Sequence, residues 1–148
     1  EKIGSIIKGS RDAGKRLRER FLVSLPALRT LKERVDRASE KKFLKGLDGR
    51  KILIRHKHAA LNSLLQGGGA IVMKKALTIL NLDLQLNGID AKIVANIHDE
   101  WQIEVKEAQA DYVGRAGVQA IIDAGVYYNM RCPLDGEYKI GESWYETH

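Results

Sequence analysis

The chain reads as an α+β domain, with helices packed on a small antiparallel sheet, and three observations predict it. Residues 93–105 alternate apolar and polar side chains through Ile93, Ala95 and Ile97, then Trp101, Ile103 and Val105. That period of two makes a half-buried β-hairpin with His98-Asp99-Glu100 at the junction. Residues 59–86 keep a helical spacing of apolar positions instead. A third signal is Asp48-Gly49 between two short β-capable runs, which marks a small turn. Runs of helix beside isolated hairpins, without β-α-β alternation, give the α+β class.

Taken in order, residues 2–23 mix apolar and basic side chains at helical spacing: Ile3, Ile6, Ile7, Leu17 and Phe21 among Lys15, Arg16, Arg18 and Arg20. Gly4, Gly9 and Gly14 each weaken such a helix by up to about 1 kcal/mol, so breaks are expected. Ser24-Leu25-Pro26 reads as a helix start with Pro26 in the first position, continued by Leu28, Leu31 and Val35. Lys42–Lys45 and Lys51–Arg55 flank the Asp48-Gly49 turn and make a basic hairpin. The helix from Ala59 to about Leu86 carries Leu61, Leu65, Met73, Ala76, Leu77, Leu80 and Leu84 as its apolar stripe, and Gly88 ends it. After the 91–106 hairpin, helical spacing resumes over 107–125 through Ala108, Tyr112, Ala116, Val118, Ile121 and Ile122. Asp135–Ile140, beyond Pro133, reads as a last short strand.

At 148 residues and 44% hydrophobic content the chain can bury one core. Cys132, the one cysteine, has no internal disulfide partner, which suits a reducing compartment. No apolar run reaches the ~20 residues a bilayer span needs, so a soluble, cytoplasmic protein without a membrane partner is expected. Glu1 stands where a methionine would open a full reading frame; a processed product, an engineered fragment and a piece of something longer are all compatible with it.

Charge is distributed unevenly. Residues 1–58 hold 18 Lys or Arg against 7 Asp or Glu, and residues 59–148 hold 7 against 12, within a net charge of +6. A polyanion partner for the first segment and a cation site in the second would both suit this division, and a solvated helical face would suit it as well.

Two groups of residues could carry chemistry. Asn62 and Gln66 lie one helical turn apart, with His58 a turn earlier, so all three share a stripe. Amides both donate and accept, which suits the acceptors of a nucleic-acid minor groove; a plain polar helix face is the other reading. Gly67-Gly68-Gly69 follows inside the helix at a propensity cost of roughly 3 kcal/mol, so a close-lying backbone or ligand, or a local break, is expected there. Asp99 and Glu100 are oxygen donors of the kind magnesium takes, the remaining sites being filled by water and substrate phosphates. One loop carboxylate cannot hold two ions, so a further acidic residue would have to come from elsewhere. Ordinary turn chemistry also explains Asp-Glu at a hairpin tip. His98 fits a metal ligand, a groove contact or a turn residue. No zinc spacing, P-loop, dinucleotide fingerprint or nucleophile elbow is present.

In this order the segments resemble the C-terminal part of a family A DNA polymerase, the DNA polymerase I class. Ile97-His98-Asp99-Glu100 is similar to that family's motif C, and Asn62-Ser63-Leu64-Leu65-Gln66-Gly67 to its Asn-x-x-x-Gln-Gly helix start. Gly46-Leu47-Asp48-Gly49-Arg50-Lys51 resembles the hairpin just upstream. The run His58 to Gln66 and the ending Gly141-Glu142-Ser143-Trp144 up to His148 look most like the polymerases of short-tailed phages.

The resemblance implies roles. Asp99 and Glu100 would be the catalytic carboxylates, Asp99 the palm aspartate that binds catalytic magnesium and Glu100 its less essential neighbour near the metals. His98 would contact the primer end, and Asn62 and Gln66 the minor groove and template beside it. His58 and Arg50 count with the DNA-facing residues, and the lysines and arginines of 1–58 would meet phosphates. His148 would lie on the palm near the active site. Residues 1–57 would be the end of the fingers, and 58–148 the C-terminal palm subdomain with its motif C hairpin. Motifs A and B would lie upstream, so template-directed, two-metal nucleotidyl transfer on primer-template DNA and deoxynucleoside triphosphates needs an N-terminal segment or partner chain. The isolated chain is then expected to be inactive. A non-catalytic basic DNA-binding module is the alternative, and an isolated fragment with an exposed apolar patch a third reading.

Overall fold

The computed structural model describes residues 6, 8 and 10–148. They fall into two compact units: Glu1–Leu44 with Lys51–Leu64, and Lys45–Arg50 with Leu65–His148.

The first unit opens on helix α1 (Arg11–Ser24). The Ser10 hydroxyl caps it by accepting from the Ala13 amide at 3.2 Å, satisfying a donor that the first helical turn cannot. The breaks expected at Gly4 and Gly9 lie outside the described residues, while Gly14 is buried within α1. Helix α2 (Pro26–Ala38) starts with Pro26 in its first position as the sequence predicts, because a missing N–H costs nothing there. Ser24 has a different task from the one read in the sequence. Its hydroxyl donates to the Phe21 carbonyl at 2.9 Å and finishes α1 rather than starting α2.

Strands β1 (Phe43–Lys45) and β2 (Lys51–Leu53) form the expected basic hairpin. Val35, Leu44, Ile54 and Ala60 make the core of this unit, with Leu31, Ala38, Ile52, Leu61 and Leu64 packed on it.

Helix α3 (Ala60–Leu86) is continuous through all three glycines. Its buried positions Val72, Ala76, Leu80 and Leu84 recur every four residues and belong to the core of the second unit. Leu65, read as part of the apolar stripe, is 57% exposed. The helix ends on a Schellman motif. Gly88 adopts φ 64°, its amide donates to the Gln85 carbonyl at 3.2 Å, and the Ile89 amide donates to the Leu84 carbonyl at 2.9 Å.

Strands β3 (Ala91–Ile97) and β4 (Glu100–Val105) pair antiparallel, and helix α4 (Glu107–Tyr127) follows. Val113, Ala120 and Ala124 of α4 complete the core, against which Trp101, Ile103 and Val105 of β4 are packed. The end of α4 repeats the Schellman device with Asn129 in place of glycine at φ 51°. The Asn129 amide donates to Val126 at 2.9 Å and the Met130 amide to Gly125 at 3.0 Å.

Two expectations need correction. The first concerns Ile93, Ala95 and Ile97, which do not share one face. The register pairs Ile93 with Ile103 but Ala95 with Gln102 and Ile97 with Glu100, because the ladder shifts between Ile93 and Ala95. Val94 is an extra residue, a bulge that re-aims every side chain after it. The second concerns Asp135–Ile140, which joins no strand among the described residues. The segment is an extended strap along α4, where small residues leave room for it. Leu134 fills the space a Cβ on Gly125 would need, and Tyr138 does the same at Gly114. The strap leads to a final short helix, α5 (Trp144–Thr147).

Candidate functional site

The loop between β3 and β4 has two residues, His98 and Asp99. His98 takes φ 54° and Asp99 does not take a positive value, the φ pattern of a II′ turn in which glycine normally fills the first place. A histidine there is uncommon and holds some backbone strain. Both side chains are exposed. Asp99 has no protein partner among the described residues, so its carboxylate is open to an outside ligand. It lines a groove shared with Glu100, Trp101, Gln102, Trp144, Thr147 and His148.

Glu100, one residue on, is held on both sides. Gln102 donates its Nε2–H to Oε1, and the His148 Nδ1 lies 3.0 Å from Oε2. A carboxylate only accepts, so Nδ1 carries the hydrogen of that pair. Thr147 lies 3.0 Å from Gln102 Oε1, the shortest of its hydroxyl's three acceptor contacts. The Trp144 indole meets the His148 ring edge-on with centroids 6.1 Å apart. Hydrogen bonds from Gln102 and His148, against a smaller effect of burial, hold the Glu100 carboxyl below its usual range. Glu100 is thus a braced carboxylate and Asp99 a free one.

Gln66 and Arg50 also belong to the second unit. Gln66 is exposed on α3 and has no hydrogen-bond partner among the described residues. Arg50 closes the hairpin turn: its amide donates to Asp48 Oδ1 at 3.1 Å and its Nε to Oδ2 at 2.6 Å. Burial raises the Asp48 pKa, but these bonds and the guanidinium charge outweigh it and keep the carboxyl lowered. Gly49 at φ 86° permits the turn, and a Cβ at Gly46 would sit 2.9 Å from Ile71 Cδ1, so that methyl would have to shift. Gly68 has only an ordinary contact, Leu47 Cδ1 at 3.9 Å from a built Cβ, and Gly69 has nothing within 4 Å. Among the described residues no close backbone accounts for these two glycines.

Asn62 and His58 lie in the first unit. Asn62 is exposed in the first turn of α3 with its amide unpartnered among the described residues. His58 sits in the 3-10 turn Lys57–Ala59 and stacks on His56, with centroids 5.5 Å apart.

Sequence reasoning did not single out Gln102 or Thr147. Gln102 carried a signal, since period two puts it on the face of Glu100. Thr147 carried none, standing 45 residues from its partner.

No three His, Cys, Asp or Glu side chains converge among the described residues. The donor set at the hairpin is one free carboxylate. That suits a share in a magnesium held by one or two carboxylates and substrate phosphates, and falls short of an all-protein cage.

Residues 2–146 match the model of DNA polymerase family A. The chain belongs to that family. It is 36% identical over 154 residues to the DNA-directed DNA polymerase of Escherichia phage Phieco32, a match covering 99% of this chain and 25% of that one. The DNA-directed DNA polymerase of Escherichia phage T7 is 33% identical over 170 residues, covering 100% of this chain and 24% of its own. The chain therefore spans about a quarter of the length of these family A relatives. Among solved structures, the POL domain of Pol1 from M. smegmatis in complex with DNA primer-template and dNTP superposes with a TM-score of 0.73. That match has 20% identity and covers 82% of this chain and 24% of the other, so it supports the α+β fold of a family A domain. No helix among the described residues is long and apolar enough to cross a membrane.

Proposed function

We propose that this chain is the C-terminal part of a DNA-directed DNA polymerase and supplies one of the carboxylates for template-directed nucleotidyl transfer. The observation that carries the reading is Asp99: an exposed carboxylate, unpartnered among the described residues, on the two-residue turn of a family A chain.

In the proposed reaction the primer 3′-hydroxyl attacks the α-phosphorus of an incoming deoxynucleoside triphosphate and pyrophosphate leaves. Such chemistry asks the protein mainly for positioning and charge compensation. Bound magnesium would supply the positive charge that eases hydroxyl deprotonation and steadies the leaving oxygen. Asp99 would hold that ion, with a co-ligand from outside the chain. His98 beside it would face the primer end. Asn62 and Gln66, with unpartnered amides, would read minor-groove acceptors, which are nearly the same for every base pair and so report pair shape rather than sequence. His58, Arg50 and the basic residues of 1–58 would meet phosphates, although Arg50 shares its charge with Asp48.

An upstream segment or partner chain would provide motifs A and B, with residues 1–57 as the end of the fingers and 58–148 as the C-terminal palm. The quarter-length match and the exposed Ile93, Val94 and Ile97 on β3 favour such a missing part.

Asp99→Ala tests the reading in the polymerase that contains this chain. Primer extension should vanish while the melting temperature of the variant stays at the parent value, because Asp99 is exposed and packs on nothing. Near-normal extension would overturn the assignment.

A further inference from the structure

We propose that Gln102, Thr147 and His148 are positioning residues, which fasten Glu100 and thereby fix the direction in which Asp99 presents its carboxylate. The inference rests on the reading of Asp99 as a magnesium-holding group and extends it to residues outside the motif.

The two-residue turn leaves Asp99 with little to hold it. On one side is His98, in a left-handed conformation that a histidine adopts at some cost. On the other is Glu100, the first residue of β4 and the cross-strand partner of Ile97. Anything that anchors Glu100 therefore anchors the backbone that carries Asp99. Both Glu100 oxygens are engaged, by Gln102 and by His148 at 3.0 Å, and Thr147 secures the far end of the Gln102 amide at 3.0 Å. The Gln102 side chain thus relays between β4 and α5, with its donor and its acceptor both used. Trp144 lies edge-on to the His148 ring.

The bulge at Val94 puts Glu100 and Gln102 on one face with Ala95 and Ile97 and away from the face of Trp101. This is the face that α5 bonds to. Each Glu100 oxygen already commits a lone pair to a hydrogen bond, whereas both Asp99 oxygens are uncommitted among the described residues. Groups that orient a metal-holding carboxylate without touching the metal have a known scale, about 10- to 100-fold in metal affinity or activity when removed.

The experiment is a magnesium titration of primer extension by the polymerase that contains this chain. His148→Ala and Thr147→Val should each raise the magnesium concentration for half-maximal rate and lower kcat, both by about tenfold, with KM for primer-template unchanged. Melting temperatures should match the parent, which separates loss of orientation from loss of fold. His148→Asn, whose side-chain N–H can replace Nδ1–H, should restore most of the magnesium response. Tyr145→Ala, in the same turn and 93% exposed, should behave as the parent. If His148→Ala and Thr147→Val keep the parental magnesium dependence while Asp99→Ala is dead, the positioning role is refuted and the polymerase reading stands. If Asp99→Ala extends primers, the polymerase reading itself fails and takes the positioning role with it.

Discussion

Gly114 holds the Tyr138 ring where any other residue would need a methyl group. A Cβ built there lies 2.2 Å from Tyr138 Cδ2, and the ring cannot retreat freely because its hydroxyl donates to Asp111 at 2.6 Å. Gly117, one turn along the same helix, has nothing within 4 Å of its Cβ position. The two glycines should therefore respond to alanine with opposite signs. Gly114→Ala overpacks and should cost about 1–3 kcal/mol. Gly117→Ala only gains helix propensity and should stabilise by up to about 1 kcal/mol. Urea unfolding of the two variants beside the parent checks both, and equal effects would contradict the packing of the strap.

Helix α4 is tied to its neighbours by two tyrosines, and this sets a pH dependence. Tyr112 donates to Asp83 of α3 at 2.8 Å, and Tyr138 of the strap donates to Asp111 of α4. Both phenols are raised above the usual value of 10.0, first by those hydrogen bonds, then by burial and the carboxylate charge, with Arg115 opposing at Tyr138. A raised folded-state pKa gives stability that is complete below the unfolded value and lost as pH rises through the folded one. The melting temperature should therefore fall as pH climbs beyond about 10. Tyr112→Phe with Tyr138→Phe should start lower and show a flatter alkaline limb. Thermal melts across that range decide it, and an unchanged limb would show that these pairs do not hold the helix.

On the scale of the whole chain, charge sets the salt dependence of DNA binding, and magnesium with nucleotide separates a polymerase segment from a plain DNA-binding module. Residues 1–58 carry 18 basic side chains against 7 acidic ones. Duplex binding through them should weaken steeply with salt, by about 10³–10⁵ between 50 and 200 mM if six to ten phosphates are met. A module binding through these residues alone would ignore magnesium and nucleotide. The assembled polymerase should instead bind primer-template more tightly when both are added. A binding titration at fixed salt, with and without them, distinguishes the two, and indifference would favour the module.

The local features were legible in the residues because they follow local rules. Pro26 starts a helix, Gly88 ends one, Asp48-Gly49 turns a hairpin, and alternation around His98-Asp99 builds another. Gly125 and Gly114 could be seen as small but not as the bed of a strap, so Asp135–Ile140 read as a strand when its hydrogen-bonding partner was absent. The family A membership, too, was carried by short ordered motifs. What the residues alone could not give was the face of each side chain beyond Val94, since one unpaired residue reverses alternation and leaves no compositional mark. Nor could they give the bracing of Glu100, because Thr147 and His148 reach it across 45 and 48 residues of sequence. Spacing rules act over one helical turn or one strand pair, and such long-range contacts exist only once the strap has laid α5 against the hairpin.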